Sequence, residues 1–355
     1  MEPRIHTAVH AKPKPPESEL GFGQVFTDHM FAMEFDAGVG WHDARLQPYA
    51  PFALDPAAVV LHYGQATFEA VRAYRGADGR VRLFRPHAHA KRMIAGAPRL
   101  CMEVPSEQHV VSSMRALARL DADWIPASEG ASLYLRPTVI ASEAFLGVQP
   151  SEQYRYFVIA TPMRGYFGGR GLDTVRIWIE TGHVRAPRGG LGAAKTPGVY
   201  AASLEATRRA QARGYDQVLW LDSVEHQFVE ELGTMNICFV IGRTLVTPPL
   251  SDSIFAGVTR DAVLTLAREF GLTVEERPFS LKELSVAHRG GVLTEVFGTG
   301  TAVSIAPVTE LANDDHSLVI RQGTPGPIAR ALHAELSAIQ RGVKEDRHGW
   351  MVDVD

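Results

Sequence analysis

The chain has 355 residues, 45% of them apolar, with a formal net charge of -4 and two cysteines. That length suggests two domains of comparable size, and the evenly spread charge gives a nucleic-acid or membrane-surface role no electrostatic support. Cys101 and Cys238 lie far apart and make neither a disulfide framework nor a metal motif.

The first twenty residues hold prolines and charges rather than an apolar segment, so they read as an extended tail and not as a secretory leader. The expectation is a cytoplasmic protein with small-molecule partners, no nucleic acid and no membrane. Phe26 to Phe35 alternates as a strand, and Gly40-Trp41-His42-Asp43 turns the chain toward Leu46. Asp55-Pro56 starts a short helix that runs toward Leu61-His62-Tyr63-Gly64. A second apolar stretch, Phe68 to Tyr74, leads to a hairpin turn at Gly76-Ala77-Asp78-Gly79 and a returning strand from Arg80 to Phe84. Pro86 then opens a helix through Arg92 to about Ala95, and a longer helix spans Glu107 to Leu120.

Leu133 to Ile140 alternates, which puts Tyr134 and Arg136 on one face of a strand. Tyr154 to Ala160 is a further strand. The glycine content of the stretch from Thr161 to Gly171 marks a connection, with domains at 1–163 (tail 1–22) and 173–355 and a loop at 164–172 between them. Beyond it, Thr174 to Glu180 is a strand, Tyr200 to Arg213 a helix closed by Gly214, and Gln217–Leu221, Phe228–Glu230 and Ile237–Ile241 are short strands. Gly257-Val258-Thr259-Arg260 opens a helix whose amides could receive an anion, and it closes at Gly271. Ser280 to Glu283 is a capping box, and Val292 to Phe297 leads as a strand into Gly298-Thr299-Gly300-Thr301-Ala302.

One stretch draws these elements together. Arg188-Gly-Gly-Leu-Gly-Ala-Ala-Lys195-Thr-Pro-Gly-Val-Tyr200 sets a lysine among glycines, where backbone and a flat ligand can approach closely. Kept from water and near other cations, such a lysine loses its proton and becomes a nucleophile. The spacing Gly189 to Thr196 also approaches a phosphate-binding P-loop, with Asp222 as a magnesium-binding aspartate at a strand end. Against that reading, no buried strand precedes the loop, and Pro197-Gly198 interrupts the helix that should begin at the lysine. Pyridoxal phosphate chemistry needs a lysine, a carboxylate for the ring nitrogen and a phosphate cradle. Val229-Glu-Glu-Leu-Gly-Thr-Met-Asn236 sets two acids next to a glycine turn and offers the carboxylate in Glu231.

The lysine loop, Glu230 to Asn236, Gly257 to Arg260, Phe297 to Ala302, Tyr134-Leu-Arg-Pro137 and Leu61-His-Tyr-Gly64 with Phe68-Glu69 together resemble a branched-chain amino-acid aminotransferase of the fold-type IV pyridoxal phosphate class. The resemblance covers nearly the whole chain. It implies an α+β fold with a smaller N-terminal domain, a larger pseudo-barrel C-terminal domain and an active site at their junction. Lys195 would be the Schiff-base lysine and proton carrier, Glu231 the partner of the ring nitrogen, and Tyr200 that of the ring hydroxyl. Arg92, Val258, Thr259 and Thr301 would hold the phosphate. Thr234 and Ala302 would bind the substrate carboxylate, with Tyr63, Phe68, Tyr134 and Arg136 forming the side-chain pocket and its edge; Glu230 is structural.

The reaction implied is a ping-pong transfer from L-leucine, L-isoleucine, L-valine or a related aliphatic or beta-branched amino acid to 2-oxoglutarate, within amino-acid biosynthesis, by a homodimer with pyridoxal 5'-phosphate and no metal. D-amino-acid transamination or aminodeoxychorismate lyase chemistry on the same fold is the alternative; an inactive cofactor-binding regulator and a P-loop hydrolase are the remote ones. The glycines from Arg164 to Gly171 would form a lid. Pro197, Gly198 and Val199 stand where relatives have a glycine pair and asparagine, and Ala70 replaces a glycine, so substrate preference or rate could differ. Val303 and Ala306 stand in place of the cysteine pair of some relatives, which removes that redox switch.

Overall fold

The computed structural model describes residues 2–166 and 172–355. Much of the glycine-rich stretch expected as a lid, residues 167–171, therefore lies outside the described residues. In chain order the elements begin with β1 (Arg4–Ile5), β2 (His29–Asp36), β3 (Gly40–Pro48), α1 (Val59–Tyr63), β4 (Ala66–Phe68), β5 (Val71–Arg75) and β6 (Val81–Phe84). They continue with α2 (Pro86–Gly96), α3 (Glu107–Leu120), β7 (Ala131–Ala141), β8 (Gln153–Arg164), β9 (Val175–Ile179), α4 (Pro197–Ala212), β10 (Gln217–Leu221) and β11 (Val229–Leu232). The last are β12 (Asn236–Ile241), β13 (Thr244–Thr247), α5 (Val258–Glu269), β14 (Thr273–Glu276), α6 (Leu281–Arg289), β15 (Leu293–Gly300), β16 (Ser304–Ala312), β17 (Ser317–Val319), α7 (Pro327–Gln340) and β18 (Met351–Asp353).

The chain divides into two compact units. Met1–Arg170, Ala194–Pro197 and Ala338–Asp355 make the first, and Gly171–Ala193 with Gly198–Ser337 the second. The short piece 194–197 that carries Lys195 thus belongs to the first unit, although the chain on either side of it belongs to the second.

In the first unit the sheet order is β1-β3-β2-β8-β7-β5-β6-β18, with β4 also paired to β7. Its spine is the antiparallel pair β7 and β8, in register from Ala131 opposite Arg164 to Ala141 opposite Tyr154. The outer half of β7 alternates buried and half-buried residues, as a strand with one face on a core must. That core is supplied by α3, whose Val110, Met114 and Leu117 repeat at helical spacing and pack on β2, β7 and β8. Ser106 caps α3 by accepting from His109 N at 3.3 Å.

In the second unit the order is β11-β10-β9-β16-β15-β12-β13-β14. A tight turn with reciprocal bonds between Leu232 and Met235, 2.8 and 2.9 Å long, brings β11 back against β12, so the run from β11 to β12 closes on itself. Gly233 makes that turn possible with φ +55°. The α+β class and the curled second sheet agree with expectation. Helix α4 lays Ala206 and Ala210 on Val218 and Trp220 of β10, small residues opposite a large one.

Several elements differ from the sequence expectation. Helix α4 begins at Pro197, not Tyr200; proline lacks a donor that the first helical turn could not use, so here it opens the helix and does not break one. Strands β13, β14, β16 and β17 and helix α7 went unrecognised. β13 and β14 are four residues each, too short to display a period, and pair in parallel only through the fold. The aspartate that a P-loop reading would need for magnesium is engaged otherwise: Asp222 accepts from the amides of Val224, Glu225, Gln227 and Phe228 at 2.7–3.1 Å and closes the turn before β11.

The glycines of the lysine loop serve backbone packing as well. A Cβ on Gly192 would lie 2.6 Å from Ser253 Cα and O, backbone that cannot step aside, whereas one on Gly198 meets nothing within 4 Å. We expect Gly192→Ala to lower stability by about 1–3 kcal/mol and Gly198→Ala to stay within about 0.5 kcal/mol of the parent. Urea midpoints of the two variants measure this, and equal midpoints would refute the packing role.

Candidate active site

Lys195 lies in the irregular stretch before α4, and two donors from β4 fix its backbone. Its carbonyl accepts from Phe68 N at 3.0 Å and from Thr67 Oγ1 at 3.1 Å. The tether fixes the backbone from which the side chain extends. The amine sits 5.2 Å from the centroid of the Phe68 ring, and Arg136 Cζ lies 4.6 Å from the same centroid. Arg136 also donates to Tyr134 OH at 3.0 Å, the phenol beside guanidinium that the period-two spacing of β7 predicts. Tyr134 is covered by the edge of Phe22, with ring centroids 5.0 Å apart and an interplanar angle of 85°.

Next to this cluster is a buried ion pair. Arg92 grips Glu69 with Nε to Oε1 and Nη2 to Oε2, both at 2.7 Å. His89 Nδ1 lies 3.0 Å from Glu69 Oε2, and both His89 and Glu69 are sealed from solvent. Burial moves the Lys195 amine down from its usual value to about 8, and the charge of Arg92 pushes the same way. Arg136 adds to that, while Glu69 and Tyr134 oppose it. The Arg92 guanidinium holds the Glu69 carboxyl far below the usual carboxylate range against the cost of its burial. Burial holds His89 down to about 4, so it is neutral near neutral pH.

Of the residues expected around the lysine, Phe68, Arg92, Tyr134 and Arg136 are assembled with it. Tyr63 is 44% exposed at the end of α1, and its hydroxyl donates to Leu146 O at 2.9 Å. Thr67, Glu69, His89 and Phe22 were not singled out as site residues. Thr67 and Glu69 flank Phe68, so the signal was adjacency in sequence; nothing in the local sequence relates Phe22 to Tyr134.

The second unit carries its own set. Glu231, buried in β11, meets Arg185 Nε at 3.0 Å through Oε2, while Oε1 accepts from Phe255 N at 2.6 Å. Asn236 Nδ2 donates to Phe255 O at 2.8 Å and ties β12 to the same loop. Arg185 was not expected, because its carboxylate partner arrives from 46 residues away. It also donates to the carbonyls of Gly192 and Ser253. The neighbouring Glu230 accepts from Ser253 Oγ. Thr234 is exposed at the β11–β12 turn, and Thr301 and Ala302 are half-buried in the turn after β15. Val258 and Thr259 are the first two residues of α5, with Gly257 as N-cap. A Cβ on Gly257 would collide with Asn236 Oδ1, so a larger residue there would have to displace that side chain. Tyr200 is half-buried in the first turn of α4.

Comparison with known proteins shows the family of the chain. Residues 66–311 match the model of the family described as amino-transferase class IV. The chain belongs to the class IV aminotransferases. The chain is 47% identical to branched-chain-amino-acid transaminase 1 of Bacillus subtilis, over 98% of its own length and 97% of that protein's. Among solved structures it resembles the branched-chain amino acid aminotransferase of Escherichia coli, with a TM-score of 0.76 and 26% identity, covering 92% of this chain and 99% of that one. It also resembles the T.th. branched-chain amino acid aminotransferase complexed with N-(5'-phosphopyridoxyl)-L-glutamate, with a TM-score of 0.74, 27% identity and coverage of 91% and 98%. Among the described residues of this class IV aminotransferase, no helix is long and apolar enough to cross a membrane.

With its acidity near 8, about a tenth of the Lys195 amine is neutral at pH 7, against roughly one part in a few thousand for an ordinary lysine. Only the neutral amine attacks an electrophile. Trace acetylation of the full chain without cofactor, read by mass spectrometry, should therefore rise about tenfold per pH unit at Lys195 and level off near pH 8. Arg92→Gln removes a neighbouring cation and should move that bend to higher pH. A bend near pH 10 in the parent chain would refute the depressed amine.

Proposed function

We propose that this chain is a pyridoxal-phosphate-dependent branched-chain amino-acid aminotransferase, transferring the amino group of L-leucine, L-isoleucine or L-valine to 2-oxoglutarate in two half-reactions. The observation that carries the reading is the tethered Lys195 amine, held near 8 on the face of Phe68 beside Arg92. The near-full-length likeness to a Bacillus subtilis protein of that name supports it, as does the solved relative bound to a phosphopyridoxyl glutamate.

The residues fit the cofactor. Lys195 supplies the amine. Glu231, paired with Arg185, supplies a carboxylate suited to a protonated ring nitrogen, and Tyr200 a phenol for the ring hydroxyl. Arg92, the Val258 and Thr259 amides and the Thr301 hydroxyl suit a phosphate dianion. Once bound, the cofactor supplies an electron sink for the charge released at the substrate carbon. Lys195 Nζ takes the proton from that carbon and returns it on the far side of the transfer. The Thr234 and Ala302 amides receive the substrate carboxylate. Phe68 and Tyr134 wall an aliphatic side chain, and Arg136, reached through Tyr134, answers the second carboxylate of glutamate. Cys101 and Cys238 are free thiols, which suits a reducing cytoplasm.

The test is direct. The purified protein should show visible absorbance from bound cofactor that bleaches with L-leucine, L-isoleucine and L-valine and returns with 2-oxoglutarate, and Lys195→Ala should abolish turnover. Bleaching by D-alanine alone would overturn the reading in favour of D-amino-acid transamination.

A homodimer belongs to the same proposal. Leu61, Leu146 and Val148 are 59%, 66% and 88% exposed, and the Tyr63–Leu146 bond joins the segments that carry them. An apolar surface of this kind calls for a cover, and a second copy of the chain provides one. Val148→Asp should halve the mass seen by light scattering; a parent chain that runs as a monomer would refute the assembly.

A further inference from the structure

The Glu69 carboxylate is the most deeply buried charge near Lys195, and nothing above gives it a part in the reaction. Its position is over-determined. Glu69 N donates to Pro137 O at 2.8 Å, which ties the residue to β7, and Oε2 accepts from Ala70 N at 3.1 Å. The carboxylate then faces Arg92 edge to edge, each oxygen taking one nitrogen of the guanidinium at 2.7 Å. A fork of this kind fixes orientation as well as distance, because a turn of the guanidinium breaks both bonds together. Residues 67 and 68, directly before it, hold the Lys195 carbonyl. One short segment therefore sets both the lysine and the arginine.

Charge points the same way. The groups that face Lys195 are Arg92 and His89 from α2, Glu69 after β4, and Tyr134 and Arg136 from β7. With His89 neutral, the Glu69 carboxylate faces the Arg92 and Arg136 guanidinium groups and the amine, and by its fork with Arg92 it decides how the nearest guanidinium is turned.

We propose that Glu69 is a positioning residue: its buried carboxylate fixes the direction of the Arg92 guanidinium, and through it the seat of the cofactor phosphate beside Lys195. This rests on the reading of Arg92 as a phosphate ligand. Glu69→Gln keeps the size but offers an amide group to a donor, so one arm of the fork becomes a donor facing a donor and the guanidinium must turn.

The experiment uses the full chain stripped of cofactor and titrated with pyridoxal phosphate and with pyridoxal, which has the same aldehyde and no phosphate, followed by visible absorbance. Glu69→Gln should weaken binding of pyridoxal phosphate at least tenfold and change that of pyridoxal less than threefold. Added to Arg92→Lys, it should cause no further loss. Equal losses for the two aldehydes would mean a merely structural ion pair and overturn the proposal, as would an unchanged phosphate preference or losses that multiply in the double variant. If Arg92→Lys by itself leaves the phosphate preference intact, the reading of Arg92 fails and the proposal with it; if only Glu69→Gln does, Arg92 stands and the proposal falls. Should Glu69→Gln not fold, Glu69→Asp draws the charge back from Arg92 by one methylene, and a loss confined to pyridoxal phosphate supports the proposal while an equal loss overturns it.

Discussion

A reactive lysine has to satisfy two opposed demands: its amine must be dry enough to shed a proton, and its flexible stem must not carry it away. The double hydrogen bond from Thr67 and Phe68 to the Lys195 carbonyl answers the second demand. It holds the backbone, so that only side-chain torsions remain, and the Phe68 ring lies under the amine those torsions deliver. The first demand is answered by burial and by a neighbouring guanidinium, each of which disfavours the ammonium form.

The same device recurs in a different place. In the first unit a carboxylate pairs with Arg92, and in the second Glu231 pairs with Arg185. Each carboxylate also accepts a backbone amide, Ala70 N for Glu69 and Phe255 N for Glu231, so neither charge is left to one partner. Buried ions that are only paired seldom repay their loss of hydration. Those whose remaining lone pairs are also met hold a side chain in one direction, and direction is what a site for a flat, charged ligand requires.

Local chemistry made much of this readable in the sequence. Ser280 capping Glu283 N, the Gly233 turn, the hairpin at Gly79 and helix Glu107–Leu120 each depend on residues a few positions apart. So does the Tyr134–Arg136 contact, which follows from strand period alone. Arg185 was invisible for the opposite reason: it lies in an unpatterned stretch, and its meaning comes from Glu231 and Ser253 far along the chain. Phe22, in a proline-rich tail, gains a role only by meeting Tyr134. Pro197 misled because a proline reads as an interruption until it is known to stand first in its helix.

What the sequence by itself determined was the cast: the lysine among glycines, the acid before a glycine turn, the arginine on a helix, the tyrosine and arginine two apart. These follow from chemistry and short-range geometry, which the order of residues contains. What only the tertiary structure decided was the environment of each. That Lys195 belongs with β4 rather than with the chain on either side of it, that Arg92 is turned against Glu69, and that the amine is dry enough to titrate near 8 are consequences of long-range packing. Desolvation and charge depend on what surrounds a group in space, and no spacing along the chain encodes that.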